Sequence, residues 1–222
     1  MKQMFLKTVD LKKSYKIGRH FEPALLGVDM EVEQGEFVSI VGPSGCGKST
    51  LLHLLGGLHR PTSGKIFFDG LELTALSDAH LTKLRRKSIG FVFQRFNILP
   101  TLTARGNVEI ALKIRGENTT DGVDEVLDSV GLGGKKHHRP SELSMGEQQR
   151  VAIARAIISN TKLLLADEPT GNLDSRNSEQ VLDIFHHLNK EHGQTILMIT
   201  HNREAAETAG RILRMKDGKI VE

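Results

Sequence analysis

The chain has 222 residues, 38% hydrophobic and 26% charged, the balance of a globular protein with a sizeable core. Its formal charge of +3 gives no reason to expect nucleic-acid binding. The best apolar stretch, 51–58, is too short to span a membrane, and residues 1–13 lack the apolar segment of a signal peptide. A lone cysteine, Cys46, excludes an internal disulfide and a zinc-cysteine cluster. We expect a cytosolic chain that meets a membrane only through a partner.

The first part of the chain has the pattern of β-strands. Residues 1–35 resemble antiparallel strands, because apolar and polar residues alternate over 24–33 before a turn. "FVSIV" (37–41) is a nearly continuous apolar run, typical of a strand buried on both faces. Short strands are also predicted at 65–68 and 89–93.

The rest of the chain alternates between helix and strand. After about residue 95 the pattern is helical, with one apolar stripe at Val123, Val126, Leu127 and Val130. Strands follow at 162–167 and 195–200, with a helix over 175–192 between them, and 211–221 closes the series.

This alternation predicts an α/β fold with a mainly parallel sheet core, an antiparallel β part and an inserted helical subdomain. We treat 1–222 as a single domain, in which 1–93 and 161–222 form the α/β core and 94–160 the helical subdomain.

The segment "GPSGCGKST" matches G-x-x-x-x-G-K-[ST] between a buried strand and a helix. Its glycines let the backbone curl so that successive N–H groups point at phosphates. Lys48 is expected to reach the β- and γ-phosphates, and the Ser49 hydroxyl to bind Mg²⁺. The predicted nucleotide-binding residues are Gly42, Pro43, Ser44, Gly45, Cys46, Gly47, Lys48, Ser49 and Thr50, with Cys46 acting through its backbone.

Two carboxylates follow the apolar strand at 163–166. Asp167 is delivered to the carboxyl edge of the sheet, where it can hold the metal directly or through water opposite Ser49. If strand geometry continues, Glu168 points the other way and can orient and deprotonate a water that attacks the γ-phosphate.

Three single residues have both a functional and a structural interpretation. His201 and Gln94 each follow an apolar strand, so they can face a bound nucleotide or metal, or be solvated. Tyr15, the only tyrosine, can stack on a base or pack against its neighbours.

A second phosphate-facing helix end is predicted in "SELSMGEQQR" (141–150). A serine cap and a glycine begin the helix, whose free N–H groups and positive dipole end favour an anion. The basic run just before it, 135–139, is interpreted as a solvated loop.

Together and in this order, these motifs resemble the ATP-binding subunits of ABC transporters, and the resemblance covers essentially the whole chain. It includes "LSMGEQQR" (143–150) and "GNLD" (171–174). The resemblance implies the P-loop NTPase ABC-ATPase fold, ATP and Mg²⁺ as ligands, and transport-coupled hydrolysis.

The resemblance also implies a role for each matching residue. Glu168, His201 and Lys48 are the expected catalytic residues, and Ser49, Gln94 and Asp167 the metal ligands. Tyr15 matches the aromatic residue that stacks on adenine. The remaining nucleotide contacts implied are Gln94, Ser144, Gly146, Glu147 and Asp174, of which Asp174 communicates across the dimer.

In the family, the signature helix of a second subunit covers the exposed γ-phosphate, so the resemblance implies a head-to-tail homodimer bound to membrane permease subunits. Such a subunit lies peripherally on the cytoplasmic face of the inner membrane, without inserting and without binding nucleic acid. The segment 95–102, with Phe96, Ile98 and Leu99, is either the permease docking surface or packing beneath the helical part.

Within the family, 49–64, 138–144 and 166–177 are similar to the branch of lipoprotein-releasing, macrolide-export and antimicrobial-peptide resistance ATPases. The lipoprotein-releasing ATPase is the most similar, although 90–108 resembles the resistance and export proteins as much. A division-type regulator of a membrane partner and a soluble nucleic-acid ATPase are the alternatives of another class.

Two positions depart from the family pattern. Met145 stands where the signature usually has glycine, and Gly106 where the branch commonly has glutamate. The first departure bears on how closely this helix end can approach a phosphate.

Overall fold

The structure, a computed structural model, describes residues 4–221. The strands are β1 (Met4–Ile17), β2 (His20–Glu33), β3 (Phe37–Val41), β4 (Ser63–Phe68), β5 (Leu71–Glu72), β6 (Ile89–Phe93), β7 (Leu163–Asp167), β8 (Thr195–Thr200), β9 (Arg211–Lys216) and β10 (Lys219–Ile220). The helices are α1 (Lys48–Leu55), α2 (Asp78–Ser88), α3 (Ala104–Arg115), α4 (Val123–Ser129), α5 (Met145–Ile157), α6 (Ser175–His192) and α7 (Arg203–Glu207).

The strands form two sheets. The larger sheet has the order β10-β9-β3-β8-β7-β6, and every pairing in it is parallel except that of β10 with β9. The smaller sheet, β2-β1-β4-β5, is antiparallel throughout. The predicted mainly parallel core with an antiparallel part is therefore confirmed.

The central strands of the larger sheet are covered on both faces. On β7, Leu163 and Leu165 belong to one hydrophobic cluster, which includes α1 and the smaller sheet. Leu164 and Ala166 point to the other cluster, which includes α3, α5 and α6. Because adjacent strand residues face opposite sides, a strand covered twice must be apolar throughout, as the sequence pattern indicated.

The inserted helices α3, α4 and α5 lie between β6 and β7 in the chain and pack on one another. Three members of the predicted apolar stripe are buried, and Val126 is partly buried against the same cluster. The exact division at residues 94 and 160 stays a prediction. None of the helices within 4–221 is long and apolar enough to cross a membrane.

The basic run at 135–139 lies at the surface, where His137 and Arg139 are exposed, but its two lysines form ion pairs. Lys135 pairs with Glu147 at 2.6 Å, and Lys136 lies 3.1 Å from Asp128 and 3.7 Å from Asp124. The Lys136 side chain is only 19% exposed. These lysines tie the segment before α5 to α4 and to the start of α5.

A glycine on β6 sets how closely α5 packs on the sheet. A Cβ at Gly90 would lie 2.7 Å from the Ala156 backbone oxygen. We predict that Gly90→Ala lowers the free energy of unfolding by about 1–3 kcal/mol, because α5 must move away. Gly134→Ala is the control, since nothing lies within 4 Å of its Cβ position. Urea unfolding of the two variants checks this, and equal stabilities would contradict it.

Candidate functional site

A cavity of about 1040 Å³ opens at the carboxyl edge of the larger sheet. Eight of the nine residues of the 42–50 loop line it, together with Gln94, Glu168 and His201. Cys46 is the exception, because its side chain is buried behind the loop. Predicted site residues that are far apart in the sequence therefore line one cavity.

The loop's glycines are required by its packing. Gly47, the residue before α1, has φ of 104°, and a Cβ there would lie 2.4 Å from the Ala24 oxygen. A Cβ at Gly42 would lie 2.1 Å from the Met215 oxygen. The loop is thus wrapped tightly on β2 and β9, and α1 begins beneath it with its positive dipole end toward the cavity.

Lys48 lies inside the curve of the loop. Its Nζ donates hydrogen bonds to the carbonyl oxygens of Gly42 and Pro43, both at 2.8 Å. The side chain is buried, yet it lines the cavity. An ammonium group has three protons, and the third lies toward Cys46 Sγ, a weak acceptor 3.9 Å away, so a phosphate oxygen can take its place.

Ser49 and Asp167 meet across the sheet edge. The Ser49 hydroxyl donates to Asp167 Oδ1 at 3.1 Å, although 118 positions separate them. Burial raises the pKa of Asp167, and the hydrogen bond from Ser49 opposes that rise. Hydroxyl and carboxylate oxygens are the hard ligands that Mg²⁺ prefers, so this pair fits the predicted metal.

Gln94 follows β6 and lines the same cavity. Its backbone oxygen accepts from Asn172 Nδ2 at 2.9 Å, and its amide nitrogen lies 3.5 Å from Asn172 Oδ1. An amide oxygen at this place is a further hard ligand within the chemistry of Mg²⁺. Its role as a metal ligand stays a prediction.

Glu168 does not continue the strand, so the expectation of strand geometry is wrong. Strand β7 ends at Asp167, and Glu168 has φ of 49°, in the left-handed region. Its Oε2 accepts from His201 Nδ1 at 2.8 Å and from the His201 backbone N–H at 3.3 Å. Within residues 4–221, Glu168 Oε1 has no hydrogen bond, so it is available to a water.

His201 joins Glu168 to the end of β8. Its side chain is 66% exposed, whereas that of Glu168 is only 15% exposed. The histidine therefore stands at the cavity surface and the carboxylate behind it. The sequence left open whether His201 was functional or solvated; its side chain is both exposed and in contact with Glu168, and its catalytic role stays a prediction.

Tyr15 lies on β1 outside the cavity lining. Its hydroxyl lies 3.3 Å from His59 Nδ1, and Lys13 Nζ lies 5.0 Å from the ring centroid. Stacking of this ring on a base stays a prediction.

The predicted second helix end lies away from the cavity. Ser144 caps α5: its Oγ accepts from the Glu147 N–H at 3.3 Å, and Glu147 Oε2 accepts from the Ser144 N–H at 2.9 Å. Burial opposes ionisation of Glu147, but the hydrogen bonds from Lys135 and from the Ser144 N–H, together with the charges of Lys135 and Arg150, outweigh it. The Glu147 pKa therefore lies below its usual value. The N–H groups of Met145 and Gly146 have no hydrogen bond within residues 4–221, so they can receive an anion.

Asp174 is outside the cavity as well. It caps α6 by accepting from the Asn177 backbone N–H at 2.8 Å, which lowers its pKa. The Asn177 amide also donates to both carboxylate oxygens at 2.9 Å. A Cβ at Gly146 would lie 2.0 Å from Asn177 Oδ1, so Asn177 joins Asp174 to the start of α5.

Sequence reasoning missed Asn177, although an asparagine at the third position of a capped helix is a recognisable signal. It also missed Arg203 and Arg214, which line the cavity together with Glu207, to which Arg203 is paired at 3.0 Å. Neither arginine belongs to a motif, so no sequence signal distinguishes them.

Comparison with known proteins agrees with this geometry. A family model described as "ABC transporter" matches residues 25–171. The lipoprotein-releasing system ATP-binding protein LolD of Geobacter metallireducens is 46% identical over 97% of both chains. The macrolide export ATP-binding/permease protein MacB of Rhodopirellula baltica is 45% identical over 96% of this chain, which spans only 32% of that protein.

A solved structure is also similar. The ATP-binding cassette MJ0796, in a dimeric post-hydrolysis state bound to ADP and Pi, superposes with a TM-score of 0.91 at 41% identity, covering 98% of this chain and 97% of that one. The phosphate loop, the paired carboxylates and the sheet order are thus accompanied by similarity along nearly the whole chain. The chain belongs to the ABC transporter family, as one of its ATP-hydrolysing cassettes.

Proposed function

We propose that this cassette works as a head-to-tail homodimer that drives a membrane permease in lipoprotein release, at the cytoplasmic face of the inner membrane. The observation that carries the proposal is the separation of two half-sites on one chain. The cavity holds the phosphate loop and Glu168, while Ser144, Gly146 and Asp174 lie outside it. A second copy can bring its own Ser144 and Gly146 to this chain's nucleotide.

The cavity half binds the triphosphate. The N–H groups of the 42–50 loop surround the phosphates, and Lys48 neutralises charge on the β- and γ-phosphates. Ser49, Asp167 and Gln94 would hold Mg²⁺, which would supply charge neutralisation on the phosphate oxygens. Tyr15 stacks on the adenine.

Glu168 acts as the general base. Its Oε1 orients a water in line with the γ-phosphate and accepts a proton from it, while Oε2 stays bound to His201. His201 stands at the cavity surface, where it holds the carboxylate and faces the γ-phosphate. Burial of Glu168 beside Asp167 keeps other water away from the carboxylate.

The partner half closes the site. Ser144 and the free N–H groups at the start of α5 contact the partner copy's γ-phosphate, with Glu147 holding the cap and Asp174 at the dimer contact. ATP then bridges two chains, and its preference for the closed state drives the conformational cycle. The dimeric state of MJ0796 supports this arrangement.

The segment 95–102 is proposed to receive the permease. Phe96 and Asn97 have positive φ, and Arg155 donates to the carbonyl oxygens of both. Ile98 packs against the helical cluster, whereas Leu99 is 42% exposed. A rigid segment with an exposed apolar side chain, directly after Gln94, can pass motion between the cavity and a partner.

Removal of the base should trap the closed state. We predict that Glu168→Gln lowers kcat by roughly 10²–10⁴-fold while nucleotide binding is preserved, and that an ATP-bound dimer accumulates. Gel filtration with ATP and a steady-state phosphate assay measure both effects. The control is Glu125→Gln, which removes the same charge at an exposed position on α4. A Glu168→Gln chain that stays monomeric with ATP would contradict the dimer proposal.

The methionine at the start of α5 should weaken closure. Met145 is 49% exposed at the helix end that the proposal places on a phosphate. We expect Met145→Gly to strengthen ATP-driven dimerisation by roughly threefold to tenfold, because a crowded contact costs about 1 kcal/mol or more. Met145→Leu keeps the bulk and should behave as wild type. Equal dimerisation of all three chains in sedimentation experiments would mean that the departure is neutral.

The proposed cargo is a lipoprotein. The identities to LolD and MacB are 46% and 45%, so they do not separate lipoprotein release from macrolide export. The choice rests on 49–64 and 138–144, which resemble the lipoprotein-releasing branch. The alternatives are a macrolide or antimicrobial-peptide pump, an ATP-switched regulator of a membrane partner, and a soluble nucleic-acid ATPase.

Reconstitution distinguishes these alternatives. The permease that co-purifies from membranes is placed with the cassette in liposomes that contain a lipidated protein. We predict ATP-dependent release of that protein, and no release of the same protein lacking its acyl chains. Movement of a macrolide or a peptide would favour the pump, and partner binding without any transport would favour the regulator. Co-purification of RNA or DNA instead of a permease would contradict all transport proposals.

A further inference from the structure

A buried glutamine connects α5 to the loop that carries Glu168. Gln149 is fully buried, and its Nε2 donates to the Pro169 carbonyl oxygen at 2.6 Å. Its Oε1 is also buried and has no hydrogen-bond partner within residues 4–221. A leucine would fill this space without an unpaired polar atom, so the amide N–H is the feature that the glutamine adds.

The carbonyl that Gln149 binds belongs to a strained turn. Glu168 has φ of 49°, a conformation that persists only when its surroundings fix it. Its N–H donates to the Ile199 oxygen at 2.9 Å, and its own oxygen accepts from the Gly171 N–H at 3.0 Å. Gln149 supplies a third attachment, one residue after the carboxylate.

The start of α5 cannot easily move by itself. Gly146 packs on Asn177 with no room for a Cβ, and Asn177 holds Asp174. The first turn of α5 is therefore packed directly against the cap of α6. Gln149 lies on the same helix, five residues after Ser144, so a displacement of the start of α5 also moves Gln149.

We propose that Gln149 is a positioning residue for Glu168, which couples the base to the helix end that faces the partner's nucleotide. This inference rests on the proposed function, in which Glu168 is the base and α5 covers the partner's phosphate. Each chain then aligns its own base best when its α5 is seated on the other nucleotide, so hydrolysis at the two sites is cooperative.

The test replaces the amide without changing the bulk. Gln149→Leu should lower kcat about tenfold, as expected for loss of one aligning hydrogen bond, with KM for ATP within twofold of wild type. The Hill coefficient for ATP should fall toward one. Gln148→Leu is the matched control, because the Gln148 amide binds the Pro140 and Leu143 oxygens before α5 and not the Glu168 loop. Gln149→Met replaces Gln149→Leu if the latter does not fold.

A double variant separates positioning from general damage. If Gln149 acts through Glu168, adding Gln149→Leu to Glu168→Gln should change the residual single-turnover rate by less than twofold. The inference would be overturned if the rate losses of the two single variants multiply in the double variant, or if Gln149→Leu behaves as Gln148→Leu does. Either result would leave the proposed function intact. A wild-type chain that neither hydrolyses ATP nor dimerises with it would instead overturn the proposed function.

Discussion

The parallel pairing of β3, β8 and β7 is the constraint on which the rest of the molecule depends. Parallel neighbours end at the same edge of the sheet, so whatever follows each strand is brought together there. Gly42 follows β3, His201 follows β8, and Asp167 ends β7. Since the strands are covered on both faces, they cannot shift in register without exposing apolar side chains. The edge is therefore a rigid platform for the nucleotide.

The loop that carries Glu168 is positioned by that platform. The Glu168 N–H is bound by β8 through Ile199, and its carboxylate by His201 at the end of the same strand. Glu168, with its left-handed backbone, is thus fixed between β7 and β8, and Gln149 adds a hydrogen bond from α5 to the next residue, Pro169. Sheet and helix approach the loop from different sides, which lets one loop respond to both.

Local patterns were sufficient to predict the strands of the larger sheet, the helix over 175–192 and the phosphate loop, but not the short strand β5. Apolar runs reveal a buried strand, and the glycine spacing reveals a loop that curls around phosphate. The left-handed turn at Glu168 and the hydrogen bond from Gln149 to Pro169 were not predictable, because both depend on contacts between segments that are far apart in the sequence. The pairing of Lys136 with Asp128 was missed for the same reason, since a charge run alone does not reveal its partners.

The sheet order also affects how the protein forms. Within residues 4–221, strand β3, which carries the phosphate loop, pairs only with β8 and β9, and both lie beyond residue 194. During synthesis β3 is therefore made more than 150 residues before either of its neighbouring strands. Pairing between such distant segments is slow, because the chain loses the entropy of closing a long loop before the strand contacts form. The strand that carries the phosphate loop therefore gains its place in the larger sheet only after β8 and β9 have been made.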